Sequence, residues 1–325
     1  MNDKTERLAA EVIEGDQRSI ARAITLIEAK GPVAASIIKG VYPYSGRASV
    51  IGVTGSPGVG KSTLVDRVTA IFRSQERTVG VLAVDPTSPF SGGAVLGDRV
   101  RMQMHAGDSG VFVRSMATRG QLGGLSRATS DAVVILDAAG FNVIILETVG
   151  VGQAEVEVSR AADMTIVVTM PGAGDGVQAL KAGVMETADV FVVNKADHEG
   201  ADRAVSEIES MLALHEYGSS DWRPPVLQTR ATDGRGVAGL VEVVDRFVAR
   251  GGEQTERRRR ERVNLRLRQI ISDRFFEHAE RGGMEPGTFD RLIEQVAGAA
   301  VDPYTAADEI LSQVLAASEG GSGRA

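Results

Sequence analysis

Residues 50–62 read Val-Ile-Gly-Val-Thr-Gly-Ser-Pro-Gly-Val-Gly-Lys-Ser. An apolar, β-branched run breaks here into a loop with Gly55, Gly60, Lys61 and Ser62 in the G-x-x-x-x-G-K-[ST] spacing. Glycines at this spacing let backbone N–H groups turn inward around a polyphosphate. A lysine here reaches the β- and γ-phosphates, and the hydroxyl after it can ligate Mg²⁺. The segment Gly55, Ser56, Pro57, Gly58, Val59, Gly60, Lys61, Ser62 and Thr63 is therefore read as a phosphate-binding loop. A helical run, Leu64 to Phe72, follows and sets the partial positive charge of its N-terminus against the phosphates.

Outward from the loop, residues 48–250 alternate strands with helices. Strand-like runs lie at Val50–Thr54, Val79–Val84, Val111–Val113, Val143–Leu146, Thr165–Thr169, Val190–Val193 and Val226–Leu227. They are apolar throughout, as expected where helices cover both faces of a mostly parallel sheet. Helices are expected over 123–139, 177–187, 199–215 and 236–250. The fold class is α/β, a nucleotide-binding domain with a mostly parallel central sheet flanked by helices. Residues 1–45 form an N-terminal helical extension with apolar Leu8, Val12, Ile20, Ala23, Ile24, Ile27, Val33, Ile37 and Ile38. Tyr42-Pro43-Tyr44-Ser45-Gly46 reads as a linker, and 46–250 as the nucleotide domain. Residues 251–325 form a helical C-terminal region, with one long helix over 254–281 and shorter ones near 286–298 and 303–317. Val263, Leu267, Ile270, Ile271 and Phe275 make a stripe along the long helix. A three-helix tail has little core to bury it in, so a two-fold pairing of tails is expected, the alternative being a tail that folds back on its own domain.

The composition narrows the function. The chain has 325 residues, 43% hydrophobic and 24% charged, with a net charge of −7. That balance is ordinary for a globular chain and disfavours a nucleic-acid or anionic-membrane binder. One tryptophan and 4% aromatics give no base-stacking platform. There is no cysteine, so disulfides and thiolate metal sites are excluded. The four histidines are scattered and read as surface or packing residues. The start lacks a signal peptide's apolar region, and the expected location is the cytoplasm.

Asn194-Lys195-Ala196-Asp197 follows the run Val190–Val193, at the carboxyl edge where a parallel sheet places its ligands. A carboxylate at Asp197 can accept the N1–H and 2-amino hydrogens of guanine; adenine would leave it desolvated and unpaired. The Lys195 stem can cover the base. Thr229, Arg230 and Ala231 follow the last strand, where a backbone contact to the guanine oxygen is expected. Asp85 and Glu147 end the strands Val79–Val84 and Val143–Leu146, on the same edge as Ser62. These two carboxylates and the hydroxyl supply oxygen ligands suited to Mg²⁺. Asp98, in a Gly- and Arg-rich stretch, either joins this chemistry or caps a helix. The glycine-rich segments 92–97, 148–154 and 171–176, with Lys181 just beyond, are placed to respond to the γ-phosphate. Gln153 can orient a water or equally act as a switch residue that contacts a partner, and no residue is a secure general base.

Six motifs occur together in order: Gly-Ser-Pro-Gly-Val-Gly-Lys-Ser at 55–62, Val-Asp-Pro-Thr-Ser at 84–88, Gly-Gly-Ala-Val-Leu-Gly-Asp-Arg at 92–99, Glu-Thr-Val-Gly-Val-Gly-Gln at 147–153, Pro-Gly-Ala-Gly-Asp at 171–175 and Asn-Lys-Ala-Asp at 194–197. In this combination the chain resembles the MeaB/ArgK/MMAA group of P-loop GTPases. The resemblance covers about residues 5–250, and the rest only by helical character. It implies a GTP-hydrolysing metallochaperone that binds an adenosylcobalamin-dependent acyl-CoA mutase, usually methylmalonyl-CoA mutase, and gates cofactor loading or protects and reactivates the mutase. Adenosylcobalamin would be met only through that partner, and a cobalamin adenosyltransferase is a further expected partner. By resemblance Lys61 binds phosphate, Ser62, Asp85, Asp98 and Glu147 form the magnesium shell directly or through water, Lys181 belongs to a third switch, Asp197 reads guanine and the C-terminal helices make a homodimer. Lys61, Glu147, Asp98 and Lys181 are the expected catalytic set. The segment 115–121, Ser-Met-Ala-Thr-Arg-Gly-Gln, departs from the Pro/Ser-rich loop of several members.

Three other readings compete. A nickel-inserting GTPase usually carries Cys or His metal ligands, and this chain has no cysteine and no histidine cluster. An ATP-dependent kinase associated with amino-acid transport conflicts with Asn194-Lys195-Ala196-Asp197. A non-enzymatic dimeric scaffold would use the Arg257–Arg260 run, but Glu256 and Glu261 flank it as on a solvated helix face.

Overall fold

The structure is a computed structural model. It describes residues 3–29, 32–85, 105, 107–117, 127–148, 154–172, 187–218, 221–251, 253–280, 284–285 and 287–321. The chain divides into two compact units, Met1–Arg262 and Val263–Ala325.

In the first unit, seven parallel strands form one sheet in the order β3-β2-β4-β1-β5-β6-β7. They are β1 (Ser49–Thr54), β2 (Val79–Asp85), β3 (Val111–Ala117), β4 (Val143–Thr148), β5 (Met164–Thr169), β6 (Val190–Val193) and β7 (Val226–Gln228). All seven expected strands are present. Their runs are continuous because both faces are buried. Along β4, Ile144 and Leu146 enter one core while Val143 and Ile145 enter the other. Along β6, Phe191 and Val193 face one way and Val190 and Val192 the other. Alternate side chains point to opposite faces, so a sheet covered twice needs apolar residues at every position.

Helices α1 (Asp3–Ile13), α2 (Gln17–Glu28), α3 (Pro32–Val41), α5 (Arg127–Ala138) and α6 (Ala154–Ala161) supply the first face. Asp16 caps α2 by accepting the Ser19 N–H at 2.7 Å. On the other face lie α4 (Lys61–Ser74) and α8 (Val237–Arg250). The fully buried Phe72 of α4 contributes about 1.5–3 kcal/mol by leaving water. Helix α7 (Ala201–Leu212) covers Phe191 through Ile208 and Leu212. The expected helix over 123–139 is seen from Arg127, and the one over 177–187 falls almost wholly outside the described residues.

The stretch read as a linker is more ordered than that word implies. Tyr42–Tyr44 form a 3₁₀ turn, and the N–H groups of Gly46, Arg47 and Ala48 donate to the Asp137 carboxylate at 2.5, 3.0 and 3.0 Å.

Helix α9 runs from Glu253 to His278. Its first ten residues belong to the sheet unit. There Arg258 grips Asp189 with both terminal nitrogens, at 2.6 and 2.9 Å, and Arg262 reaches Asp163 at 2.5 Å. Asp189 immediately precedes β6 and also accepts the Thr165 N–H of β5. The single tryptophan, Trp222, donates to the Asp189 carbonyl at 2.7 Å and stacks edge-on against Phe247 at 5.0 Å. The arginine run is thus split by helical periodicity. Arg258 and Arg262 turn onto the sheet, while Arg257 and Arg260 pair outward with Glu261 and Glu256.

The second unit contains the rest of α9 with α10 (Thr288–Ala297) and α11 (Pro303–Gly321). Its buried apolar residues are few among those described: Ala279, Leu292, Ala306 and Val314. No helix among the described residues is long and apolar enough to cross a membrane.

Candidate functional site

Strand β1 lies at the point where the chain's connections change direction, running first toward β2 and β3 and later toward β5 and beyond. The crevice outside the carboxyl ends of the strands at such a point is where open α/β sheets bind ligands. The phosphate loop leaves β1 there. Gly55 has φ 142°, and a Cβ at that position would collide with the Val168 carbonyl oxygen. Gly60 has φ 94°, caps α4, and leaves room for the Asn194 amide, which a Cβ would approach to 2.5 Å. Neither position accepts a side chain without moving its neighbours.

Lys61 and Ser62 begin α4. Lys61 is 6% exposed, and its ammonium donates to the carbonyls of Gly55 at 2.7 Å and Ser56 at 3.0 Å. The Ser62 hydroxyl donates to Glu147 Oε1 at 2.5 Å. Glu147, 5% exposed, sits on β4 in register with Val53 of β1 and Ala83 of β2. A buried carboxylate and a hydroxyl in direct contact at the mouth of a phosphate loop form an oxygen donor set of the kind Mg²⁺ prefers. The donor chemistry fits that ion. The backbone of Asp85 ends β2 on the same edge. Asp98, Lys181, Gln153 and the three glycine-rich segments lie wholly or mostly outside the described residues.

The second half of the site follows β6 and β7. Asn194 is a clip. Its amide donates to the Val59 carbonyl at 2.8 Å, and its oxygen accepts from Thr229 Oγ1 at 3.0 Å and the Ala231 N–H at 3.1 Å. It therefore joins the phosphate loop to the segment after β7. Lys195 has φ 56°, a costly conformation for a residue with a side chain. It is held by the His198 N–H on its carbonyl and by its own ammonium on Gly58 O, at 2.9 and 2.8 Å. Asp197 is exposed at this edge, with Arg230 Nε 3.7 Å from its Oδ1. Arg67 of α4 donates to the carbonyls of Ala231 and Thr232 at 3.2 and 2.8 Å.

The structure thus gathers Gly55–Thr63, Glu147, Asn194, Lys195, Asp197 and Thr229–Ala231 along one sheet edge and its flanking loops. The sequence reading missed Arg67, whose arginine side chain in a helix carries no distinguishing signal. Of the histidines, His105 lies 3.1 Å from Asp66, a buried pairing within the fold. Among the described residues no three His, Cys, Asp or Glu are grouped to hold a metal ion.

A parallel sheet with this phosphate loop and this base-side loop defines a P-loop GTPase. The family model described as "Methylmalonyl Co-A mutase-associated GTPase MeaB" matches residues 20–283. A putative GTPase of Pyrococcus abyssi is 46% identical over 315 residues, covering 95% of this chain and 97% of the relative. The mouse protein named methylmalonic aciduria type A homolog, mitochondrial, is 31% identical over 326 residues, covering 94% and 78%. A solved structure described as an LAO/AO transport system kinase superposes with a TM-score of 0.70 at 24% identity, covering 97% of this chain and 99% of that one, a likeness of fold. The chain belongs to the MeaB/ArgK/MMAA family of P-loop GTPases and is a GTP hydrolase.

Proposed function

We propose that this GTPase serves an adenosylcobalamin-dependent acyl-CoA mutase, foremost methylmalonyl-CoA mutase, gating cofactor loading and protecting or reactivating the mutase. The observation that carries the reading is a family match over residues 20–283 to GTPases described by their association with that mutase. Cobalamin is met through the partner, a cobalamin adenosyltransferase is a second partner, and the cytoplasm is the site of action.

In this reading the γ-phosphate of GTP sits at the phosphate loop and water attacks it in line, giving GDP and phosphate. Lys61 exchanges the carbonyls of Gly55 and Ser56 for phosphate oxygens, bringing its charge to where negative charge develops. Ser62 and Glu147, with Asp85 and Asp98 directly or through water, would hold Mg²⁺. The ion, when bound, neutralises phosphate charge. Lys181 acts in a third switch, and Asp197 reads guanine. Loops that order around the γ-phosphate are the physical basis for coupling: a partner preferring one state must in turn bias the nucleotide equilibrium.

The test is GTPase rate and adenosylcobalamin loading, each with and without the cognate mutase. Acceleration of hydrolysis and nucleotide-dependent loading are expected; no change in either sinks the reading. A homodimer through the C-terminal helices is part of the same proposal. It is supported by the exposure of Val263, Leu265, Leu267, Ile271 and Phe276 on α9. Leu267→Glu with Ile271→Glu should convert a sedimenting dimer to a monomer that still binds GTP.

A further inference from the structure

The loop after β7 holds one side chain whose placement the backbone contact expected there does not explain. Arg230 Nε is buried and has no hydrogen-bond partner among the described residues. It lies between two carboxylates, 3.7 Å from Asp197 Oδ1 and 3.4 Å from Asp233 Oδ2. The backbone that carries it is tied on every side. Arg230 N–H donates to the Arg235 carbonyl at 2.9 Å, and Gly234 N–H returns to the Arg230 carbonyl at 3.0 Å. Thr229 and Ala231, on either side of Arg230, are both bonded to Asn194, and Arg67 holds the next two carbonyls. Asp233 is fixed in turn by accepting the Arg235 N–H at 3.1 Å. An exposed ion pair on mobile side chains contributes little. The Arg230, Asp197 and Asp233 side chains are 39%, 38% and 42% exposed, but the backbone beneath this guanidinium is braced, and its inner nitrogen, out of water, stands between Asp233 and the carboxylate expected to read the base.

We propose that Arg230 is a positioning residue for base selection. Its guanidinium orients the Asp197 carboxylate and offsets the like charge of Asp233, so that Asp197 presents its oxygens to the N1–H and 2-amino groups of guanine. The inference rests on the reading of Asp197 as the guanine acceptor. A carboxylate has about four lone-pair sites on its two oxygens. Asp197 Oδ1 can therefore face Arg230 and still accept from the base, which makes the arginine a support rather than a competitor. Two negative groups near a base that itself offers hydrogens would otherwise swing freely and repel each other.

The experiment measures affinities for GDP and inosine diphosphate by displacement of a fluorescent GDP analogue from the full chain. Inosine lacks the 2-amino group and so reports how much of Asp197's reading has been lost. Arg230→Met should weaken GDP about tenfold, the scale of one charge-assisted hydrogen bond. It should weaken inosine diphosphate less, narrowing the ratio between the two. Arg230→Lys, which keeps the charge, should recover part of that ratio and guards against a loop that merely misfolds. In an Asp197→Asn background, Arg230→Met should have no further effect on the ratio. Unchanged or tighter GDP binding in Arg230→Met, equal loss of both nucleotides, or full additivity with Asp197→Asn would overturn the proposal. Equal affinity of the parent protein for GDP and ADP would overturn the reading of Asp197 itself. Loss of guanine preference in Asp197→Asn with Arg230→Met unaltered would overturn the role of Arg230 alone.

Discussion

The two ends of the sheet carry similar polar residues and use them in opposite ways. At the carboxyl end, Lys61 is bonded to carbonyls five and six residues away, and Ser62 to Glu147 across two adjacent strands. Each of these partners can be exchanged for a ligand. At the amino end, Asp137, Asp163 and Asp189 are filled by backbone N–H groups and by arginines from distant parts of the chain. Asp163 takes the Val50 N–H at 2.9 Å as well as Arg262, and Asp189 takes Thr165 as well as Arg258. These three carboxylates are thus engaged by partners from within the chain. One edge is organised to be re-bonded and the other to stay as it is. Substitutions at the two ends should therefore separate into losses of activity and losses of stability.

The largest effect is expected at Arg258. Arg258→Met leaves the Asp189 carboxylate, 3% exposed, without its counter-charge. Breaking one partner of a buried pair costs about 3–5 kcal/mol. Burial already pushes the Asp189 carboxyl above the usual range, with Arg258 and the Thr165 N–H opposing it. The folded state thus holds a proton on this group more tightly than the unfolded chain does, and the cost of the ionised form grows as pH rises from the ordinary carboxylate range through the folded value. The loss of stability in Arg258→Met should be greatest near neutral pH and shrink on acidification. Denaturant unfolding at pH 7.5 and pH 5 reads this directly; a pH-independent loss would contradict it.

Lys61→Ala comes next, on the other edge. Removing an electrostatic donor of this kind costs roughly 10²–10³ in rate. The melting temperature should hardly move, since the carbonyls it leaves belong to a loop that re-bonds. Single-turnover GTP hydrolysis beside a thermal melt decides whether the edges differ as described. A Lys61 variant that is both active and unstable would erase the distinction.

Asp137→Ala is a smaller test of the amino end. It strands the N–H groups of Gly46, Arg47 and Ala48, which are exposed enough for water to replace part of the loss. A destabilisation of about 1–3 kcal/mol is expected by calorimetry, the range for an unsatisfied polar group, with GTP turnover unchanged. The smallest effect belongs to Arg257→Ala, one residue from Arg258. Its pair with Glu261 is an exposed i,i+4 contact at 3.0 Å, worth about 0.3–0.5 kcal/mol. A loss matching that of Arg258 would mean that the two faces of the arginine run had been wrongly assigned.

The carboxyl end was legible in the sequence because its chemistry is local. The phosphate loop and Asn194-Lys195-Ala196-Asp197 are short motifs, each placed directly after an apolar strand. The strands were legible because burial on both faces removes polar residues from them. Where polarity returns, the reading stopped short. β3 continues through Arg114 and Ser115 to Ala117, since Arg114 reaches Glu28 of α2 at 2.6 Å and so keeps its place in the strand. The amino end was invisible for the same kind of reason. Arg258 and Asp189 are 69 residues apart, and Asp163 and Val50 are 113 apart. No local pattern marks which arginine of the run turns inward, because that depends on where the helix begins relative to the sheet. The side chain of Arg230 belongs with these, its role being visible only once Asp197 and Asp233 are seen on either side of it.

Trp222 gives this fold an optical gauge that no labelling would improve. It is the only indole in the chain, and its N–H is spent on the residue just before β6. Its emission therefore looks at the amino end and is far in bonding terms from phosphates and base. Its emission should change when the amino end comes apart and hold when nucleotide is exchanged, a distinction that enzyme assays alone conflate.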